Sequence, residues 1–132
     1  TPAIGPAIGL GAACAWMQKL DWAAAHDHEM GLVQRLMDGL QKIDGTQLFG
    51  PASLQNRYPV VSFMLDGVHP HDVAQTLDSF GVAVRAGHHC AQPLMDRFDL
   101  DGTTRVSMAP YNDNDDIDAL LEGVAYAAKT LR

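Results

Sequence analysis

Two kinds of hydrophobic pattern alternate along this chain with short connections between them, and this alternation constrains the fold more than any other feature. Over residues 27–43 apolar side chains recur at steps of three and four, the spacing that gives a helix one buried face. Residues 56–65 instead carry β-branched and aromatic side chains and end at the turn pair Asp66-Gly67, which predicts a strand. Helices and strands are therefore expected to share one core.

The same patterns divide the rest of the chain. Residues 86–102 are predicted to form a loop with one helical turn at Leu94 and Met95. Because the strands are short and their connections tight, the predicted fold class is α+β, with a short, mostly antiparallel sheet and helices packed on one face. At 132 residues the chain is long enough for one such domain. The predicted helices cover residues 3–20, a second segment that begins after Asp21 and has its periodic buried face over residues 27–43, residues 70–81, and the segment from Asn112 onwards. The predicted strands cover residues 46–49, 56–65, 82–85 and 103–108.

The charge and cysteine content argue against several classes of function. The formal net charge is −7, and because an acidic surface repels phosphate backbones, nucleic acid is not expected as a partner. The sequence has no run of about 20 apolar residues, so no membrane span is predicted. Two cysteines do not make a disulfide framework in a chain of this size, and the cytoplasm is the expected compartment.

One loop concentrates the residues with chemical potential. A predicted strand ends at Arg85, Gly87 permits an unusual backbone turn, and Cys90 follows directly after His88 and His89. A cysteine nucleophile reacts as a thiolate, and cationic neighbours lower the pKa of a thiol. The loop has no large apolar side chain and is framed by glycine and proline, so a reactive thiol is favoured over a buried core thiol.

A zinc site is the main alternative for these histidines. His88, His89 and Cys90 are ligand types, as are His69 and His71. Structural zinc sites, however, show spaced ligand pairs, and three adjacent residues do not easily converge on one ion. Zinc is therefore disfavoured, and the pair at the start of the helix over residues 70–81 is predicted to be solvated or to cap that helix.

Two residues outside the loop complete the candidates. Arg105 lies within a strand-like run and must face solvent, a partner or an anion, and a guanidinium binds carboxylates with two parallel hydrogen bonds. Cys14 lies in a segment rich in alanine and glycine, where a core thiol is the favoured interpretation.

The sequence RAGHHCAQPL, residues 85–94, closely resembles the active-site cysteine loop of type II (SUF-type) cysteine desulfurases. These enzymes belong to the class V aminotransferase-like group that uses pyridoxal 5′-phosphate (PLP). Residues 1–4 and 8–13 are similar to the family's segment between its large and small domains. Residues 105–107 and 111–112 resemble its late strand and last helix, so the resemblance covers essentially all of the chain.

On this resemblance the chain is the small C-terminal domain of a fold-type I PLP-dependent transferase. Residues 1–20 are then a linker helix that packs on a large domain, and residues 21–132 form the small domain with the cysteine loop. The start at Thr1, without an initiator methionine, is expected for a piece of a longer chain. The family's PLP-binding lysine follows a histidine in the large domain, and no lysine here does so. The chain alone is therefore expected to be inactive.

The resemblance also implies roles for individual residues. Cys90 resembles the nucleophile that takes sulfur from the substrate and becomes a persulfide. Arg105 resembles the arginine that holds the substrate carboxylate, and Arg85 resembles a second arginine on the substrate side of the site. His88 and His89 belong to the motif without an assigned role.

The implied reaction converts L-cysteine to L-alanine and a Cys90 persulfide, with PLP as the electron sink. The sulfur then passes to a SufE- or SufU-like acceptor protein for iron–sulfur cluster assembly. The full-length enzyme is expected to be a homodimer, in which Thr1 reaches the PLP phosphate of the neighbouring subunit. Two alternatives stay open, a selenocysteine lyase and a stand-alone sulfur-relay module that uses Cys90 without PLP.

Overall fold

A computed structural model of the chain describes residues 2–132, so the prediction for Thr1 lies outside the described residues. The helices and strands follow in the order of the chain: α1 Ile4–Met17, α2 Trp22–Leu40, β1 Thr46–Phe49, β2 Val60–Leu65, α3 Pro70–Ser79, β3 Arg85–Gly87, α4 Gln92–Phe98, β4 Thr103–Ser107 and α5 Asn114–Thr130.

The four strands form one sheet in the order β1-β2-β4-β3, and each neighbouring pair is antiparallel. In β2 the side chains of Val61, Phe63 and Leu65 are at most 1% exposed, whereas the residues between them are half-buried. This alternation shows that one face of the sheet is covered and the other is more open. The predicted α+β class and antiparallel sheet are confirmed.

Helices α2, α3 and α5 cover the buried face of the sheet. Leu36 from α2, Leu77 from α3 and Val124 from α5 are fully buried together with the β2 side chains. Burying each such side chain stabilises the fold by about 1.5–3 kcal/mol. The short helix α4 lies at the open face instead, where the ring of Phe98 packs edge-on against that of Phe49 with 6.2 Å between centroids. The one-face arrangement therefore holds for the three long helices that form the core.

The sequence prediction is wrong in the segment before the cysteine loop. A strand was expected over residues 82–85, but β3 begins only at Arg85. Gly81 has a positive φ of 75°, and the Val82 amide donates to the Leu77 carbonyl, so this segment still completes the end of α3. The predicted loop that follows contains most of β3 and the two-turn helix α4 rather than a single helical turn.

Helix α1 differs from the others because none of its residues is buried. Ile8, Leu10 and Trp16 are 62–69% exposed. Cys14, predicted to be a core thiol, is likewise exposed, and that prediction is wrong because α1 contributes nothing to the core. Across residues 2–132 the structure has no helix with the length and apolar character needed to cross a bilayer.

Candidate active site

The pairing of β3 with β4 places two arginines side by side. Arg85 lies directly opposite Arg105, and Gly87 lies opposite Thr103. Residues directly opposite each other in an antiparallel pair project on the same face, so both guanidinium groups share the open face of the sheet. Like charges in this position repel each other. The arrangement therefore favours an anion between or beside them.

The loop after β3 has an unusual backbone. Gly87 has a φ of 107°, and the next turn places both His89 and Cys90 in the left-handed region, with φ values of 58° and 59°. Left-handed backbone costs about 1–2 kcal/mol at a residue other than glycine. A Cβ at Gly102 would lie 3.0 Å from the Gly87 backbone, so a glycine is required where the end of this loop approaches β3.

Cys90 is exposed and sits beside a cation. The Nη2 of Arg85 donates a hydrogen bond to Cys90 Sγ at 3.1 Å. The thiol lines a cavity of about 710 Å³, which His71 also lines. The alternative of a buried core thiol is therefore wrong for Cys90. A guanidinium this close stabilises an anionic sulfur more than a neutral one.

His89 anchors the middle of the loop. Its Nε2 lies 2.8 Å from Thr103 Oγ1, while its Nδ1 is buried without a partner among the described residues. Burial of the ring lowers the pKa of His89, and the nearby positive charge of Arg105 lowers it further. The neutral form of His89 is therefore favoured over the charged form. The neighbouring His88 is exposed and lines the Cys90 cavity.

Arg105 faces a second cavity, of about 500 Å³, between α4 and the open face of the sheet. Its guanidinium is half-buried, and its Nε has no partner among residues 2–132. Phe49, Met95 and Phe98 give the cavity an apolar wall. A buried guanidinium nitrogen without a partner suits a carboxylate ligand. His89 lines both cavities and therefore lies between the Cys90 thiol and the Arg105 guanidinium.

Some residues of the site could not be found from the sequence. His69 caps α3, because its Nδ1 accepts from the His71 amide at 3.2 Å, and this confirms the predicted capping role. Both histidines also line the Cys90 cavity with Asp101, which the sequence did not indicate. Within residues 2–132 no three His, Cys, Asp or Glu side chains are grouped as metal ligands.

The described residues fit the substrate side of a PLP site better than its cofactor side. Neither cavity is lined by a described lysine, the residue that would hold PLP covalently. Lys19 and Lys42 follow the C-terminal ends of α1 and α2, and Lys129 lies in the last turn of α5. The Nε of Arg105, which has no partner among residues 2–132, instead suits a small anionic substrate.

Comparisons with known proteins agree with this fold. The profile of the family named aminotransferase class-V matches residues 1–120. The chain therefore belongs to the aminotransferase class-V family.

Within that family the chain is similar to cysteine desulfurases. It is 47% identical over 127 residues to "Probable cysteine desulfurase 2" of Mycobacterium leprae, which covers 96% of this chain and 30% of that protein. The crystal structure of the cysteine desulfurase CsdA of Escherichia coli superposes with a TM-score of 0.91 at 36% identity, covering 100% of this chain and 32% of that one. The apo cysteine desulfurase of Thermococcus onnurineus gives a TM-score of 0.92 at 37% identity, covering 99% and 32%. The chain thus spans about a third of the length of these relatives.

Proposed function

We propose that this chain supplies the sulfur-accepting part of a cysteine desulfurase active site, with Cys90 as the nucleophile. The observation that carries the proposal is an exposed thiol 3.1 Å from the Arg85 guanidinium, on a strained loop at the open face of the sheet. The names of the relatives support the same activity. L-cysteine is the proposed substrate.

In the proposed step the Cys90 thiolate attacks the sulfur atom of L-cysteine. The new S–S bond forms as the substrate C–S bond breaks, and the electron pair of the broken bond stays with the substrate carbon. That carbon then takes a proton to give L-alanine, while Cys90 keeps the sulfur as a persulfide. PLP, when bound, supplies the electron sink that makes the substrate reactive.

The residues of this chain hold the reactants in this scheme. Arg85 orients the Cys90 sulfur and stabilises its anionic form. Arg105 binds the substrate carboxylate with its guanidinium, whose Nε has no partner within the described residues 2–132, near the boundary between the two cavities that His89 lines. His88, exposed at the cavity wall, has no assigned step.

The same proposal includes the domain organisation of the full-length protein, its PLP, its dimer partner and its sulfur acceptor. Residues 1–20 act as a linker helix that packs on another domain, and residues 21–132 form the small domain. PLP is held mainly outside this chain, with Thr1 contacting the phosphate of a PLP in the partner subunit of a homodimer. The persulfide sulfur passes to a SufE- or SufU-like acceptor in the cytoplasm and serves iron–sulfur cluster assembly. The exposed position of Cys90 supports such a transfer.

The test is alanine release from L-cysteine by the full-length, PLP-loaded protein and by its Cys90→Ala variant. We expect the parent to release alanine and the variant to lose nearly all of this activity, because no other thiol lines the cavity. Cys14→Ala removes the other exposed thiol of this chain and serves as the matched control, with activity like the parent. Equal alanine release by the parent and Cys90→Ala would contradict the proposal and favour a lyase that needs no acceptor thiol.

A further inference from the structure

We propose that Thr103 is a positioning residue for Cys90. Its hydroxyl group, through the hydrogen bond to His89, holds the cysteine loop in the left-handed conformation that brings the thiol to Arg85. This inference rests on the proposed function only in taking Cys90 as the reactive thiol of the site.

The conformation of the cysteine loop needs an anchor. His89 and Cys90 are consecutive residues with φ near 60°, a region that residues with a side chain rarely adopt. Such backbone persists only where the surrounding contacts determine it. Without a specific contact, the two residues would relax towards ordinary backbone angles and carry the thiol with them.

Within this strained pair, His89 provides a contact that anchors the loop. Gly87 is fixed before the pair by its pairing with Thr103, and Ala91 is fixed after it as the N-cap of α4. The amide of Ala91 donates to the carbonyl of His88. This hydrogen bond closes a turn within the loop and does not connect the loop to the sheet. The imidazole of His89 makes that connection by reaching β4.

Thr103 is a rigid hydrogen-bond partner for His89. It is 1% exposed and lies in the β4 ladder, so its hydroxyl has a fixed position under the loop. The bond to His89 Nε2 is the one hydrogen bond that the hydroxyl makes among the described residues. The neutral state of His89, which burial and Arg105 favour, leaves one N–H on the ring to share with this hydroxyl.

The hydrogen bond between Thr103 and His89 determines where the Cys90 thiol lies. With the anchor in place, Cys90 Sγ lies 3.1 Å from Arg85 Nη2. The same anchor keeps the His89 ring between the thiol cavity and the Arg105 cavity. Loss of the Thr103 hydroxyl therefore separates the thiol from its guanidinium while leaving both residues in the chain.

The experiment measures how fast iodoacetamide alkylates Cys90 in the native protein, followed by mass spectrometry of the Cys90 peptide. Thr103→Val keeps the shape of the side chain and removes the hydroxyl, and it is expected to slow alkylation about fivefold because the thiolate loses its cationic partner. Thr103→Ala is expected to slow it in the same way. Thr103→Ser keeps the hydroxyl and should restore a rate near that of the parent.

Two matched controls separate positioning from general loosening. Thr104 is the next residue, is fully buried and faces the helices, so Thr104→Val should leave the Cys90 rate unchanged. The exposed Cys14 in the same sample is an internal reference whose rate should not change in any variant. Side-chain ¹⁵N shifts of His89 should move in Thr103→Val and return in Thr103→Ser.

The inference is overturned if Thr103→Val is alkylated at the parental rate, or if Thr104→Val slows Cys90 equally. Failure of the proposed function is a separate result. If Cys90→Ala still releases alanine while Thr103→Val slows alkylation, the desulfurase mechanism is wrong and the positioning role stands. If Cys90→Ala is inactive but Thr103→Val leaves alkylation unchanged, the positioning role is wrong and the mechanism stands.

Discussion

The open face of the sheet carries two guanidinium groups that face each other across neighbouring strands, Arg85 and Arg105. The repulsion between two like charges in this position is unfavourable, and the two arginines differ in the partners they have. Arg85 turns to the sulfur of Cys90, while the Nε of the half-buried Arg105 has no acceptor among residues 2–132. This asymmetry is the physical basis for assigning one arginine to the thiol and the other to a carboxylate.

The stability of the protein should depend on the protonation of His89. Burial first, and the charge of Arg105 second, lower its pKa from 6.5 in the folded state. As the pH falls below 6.5 the unfolded state binds a proton that the folded state does not, so the free energy of unfolding decreases until the pH passes the lowered pKa. The slope of the free energy of unfolding against pH should be smaller in His89→Gln.

Urea unfolding at pH values between about 5 and 8 measures this slope. His26→Gln, at an exposed histidine of α2, is the control and should keep the slope of the parent. An unchanged slope in His89→Gln would show that His89 does not resist protonation in the folded state.

At the scale of single residues, the sequence predicted contacts between residues that are close to each other along the chain. Arg85 and Cys90 are five residues apart, and the motif that contains both was sufficient to associate them. Thr103 and His71 reach the same site from other elements, through the pairing of β3 with β4 and the contact of α3 with the loop, which no local pattern indicates. Cys14 was misjudged because its alanine-rich surroundings resemble a buried helix, whereas α1 is exposed.

At the scale of elements, helix α5 shows how local chemistry sets a boundary. Asp113 is the N-cap, and its carboxylate accepts from the amides of Asp115 and Asp116. The carboxylate of Asp116 reaches back to Asn112 Nδ2 and then to the Asp113 amide, and these bonds lower the pKa of Asp116. Its contribution to stability is therefore present above pH 3.8 and is lost as the pH falls through the lowered pKa.

Asp113→Ala should lower the free energy of unfolding by about 1 kcal/mol, because two amides of the first turn lose their acceptor. Chemical unfolding at pH 7 measures the loss. Glu122→Ala removes an exposed charge from the middle of the same helix and should cost much less. Similar losses in the two variants would mean that the cap does not stabilise α5.

The elements also show where patterns are informative. The bounds of β1 and the start of α3 agree with the prediction, because Pro70 and the flanking glycines mark them locally. Strand β3 has three residues and α4 has seven, too short for a hydrophobic period to be read. Both are defined by tertiary contacts, β3 by its ladder with β4 and α4 by its packing at the open face.

At the scale of the whole molecule, one helix stands apart from the core. Helices α2, α3 and α5 bury their apolar faces against the sheet, whereas α1 buries none of its residues. Its apolar side chains have the character of a surface that packs on another domain, as proposed for residues 1–20. The residue pattern of α1 predicts a helix but does not say which surface it packs on; only the family resemblance, which makes residues 1–20 a linker helix, led to the expectation that this helix does not join the core.

The exposed helix should cause this chain, when studied by itself, to associate with copies of itself. Ile4 and Ile8 lie one turn apart on the same face of α1 and are 61% and 69% exposed, and burying them between two chains removes apolar surface from water. Sedimentation equilibrium should therefore show a mass that rises with concentration. The double variant Ile4→Glu, Ile8→Glu should stay monomeric and should unfold at the midpoint that the parent shows at concentrations where it too is monomeric, because neither side chain contributes to the core. A parent chain that is monomeric at every concentration, with α1 still helical, would show that this surface does not act as an interface in isolation.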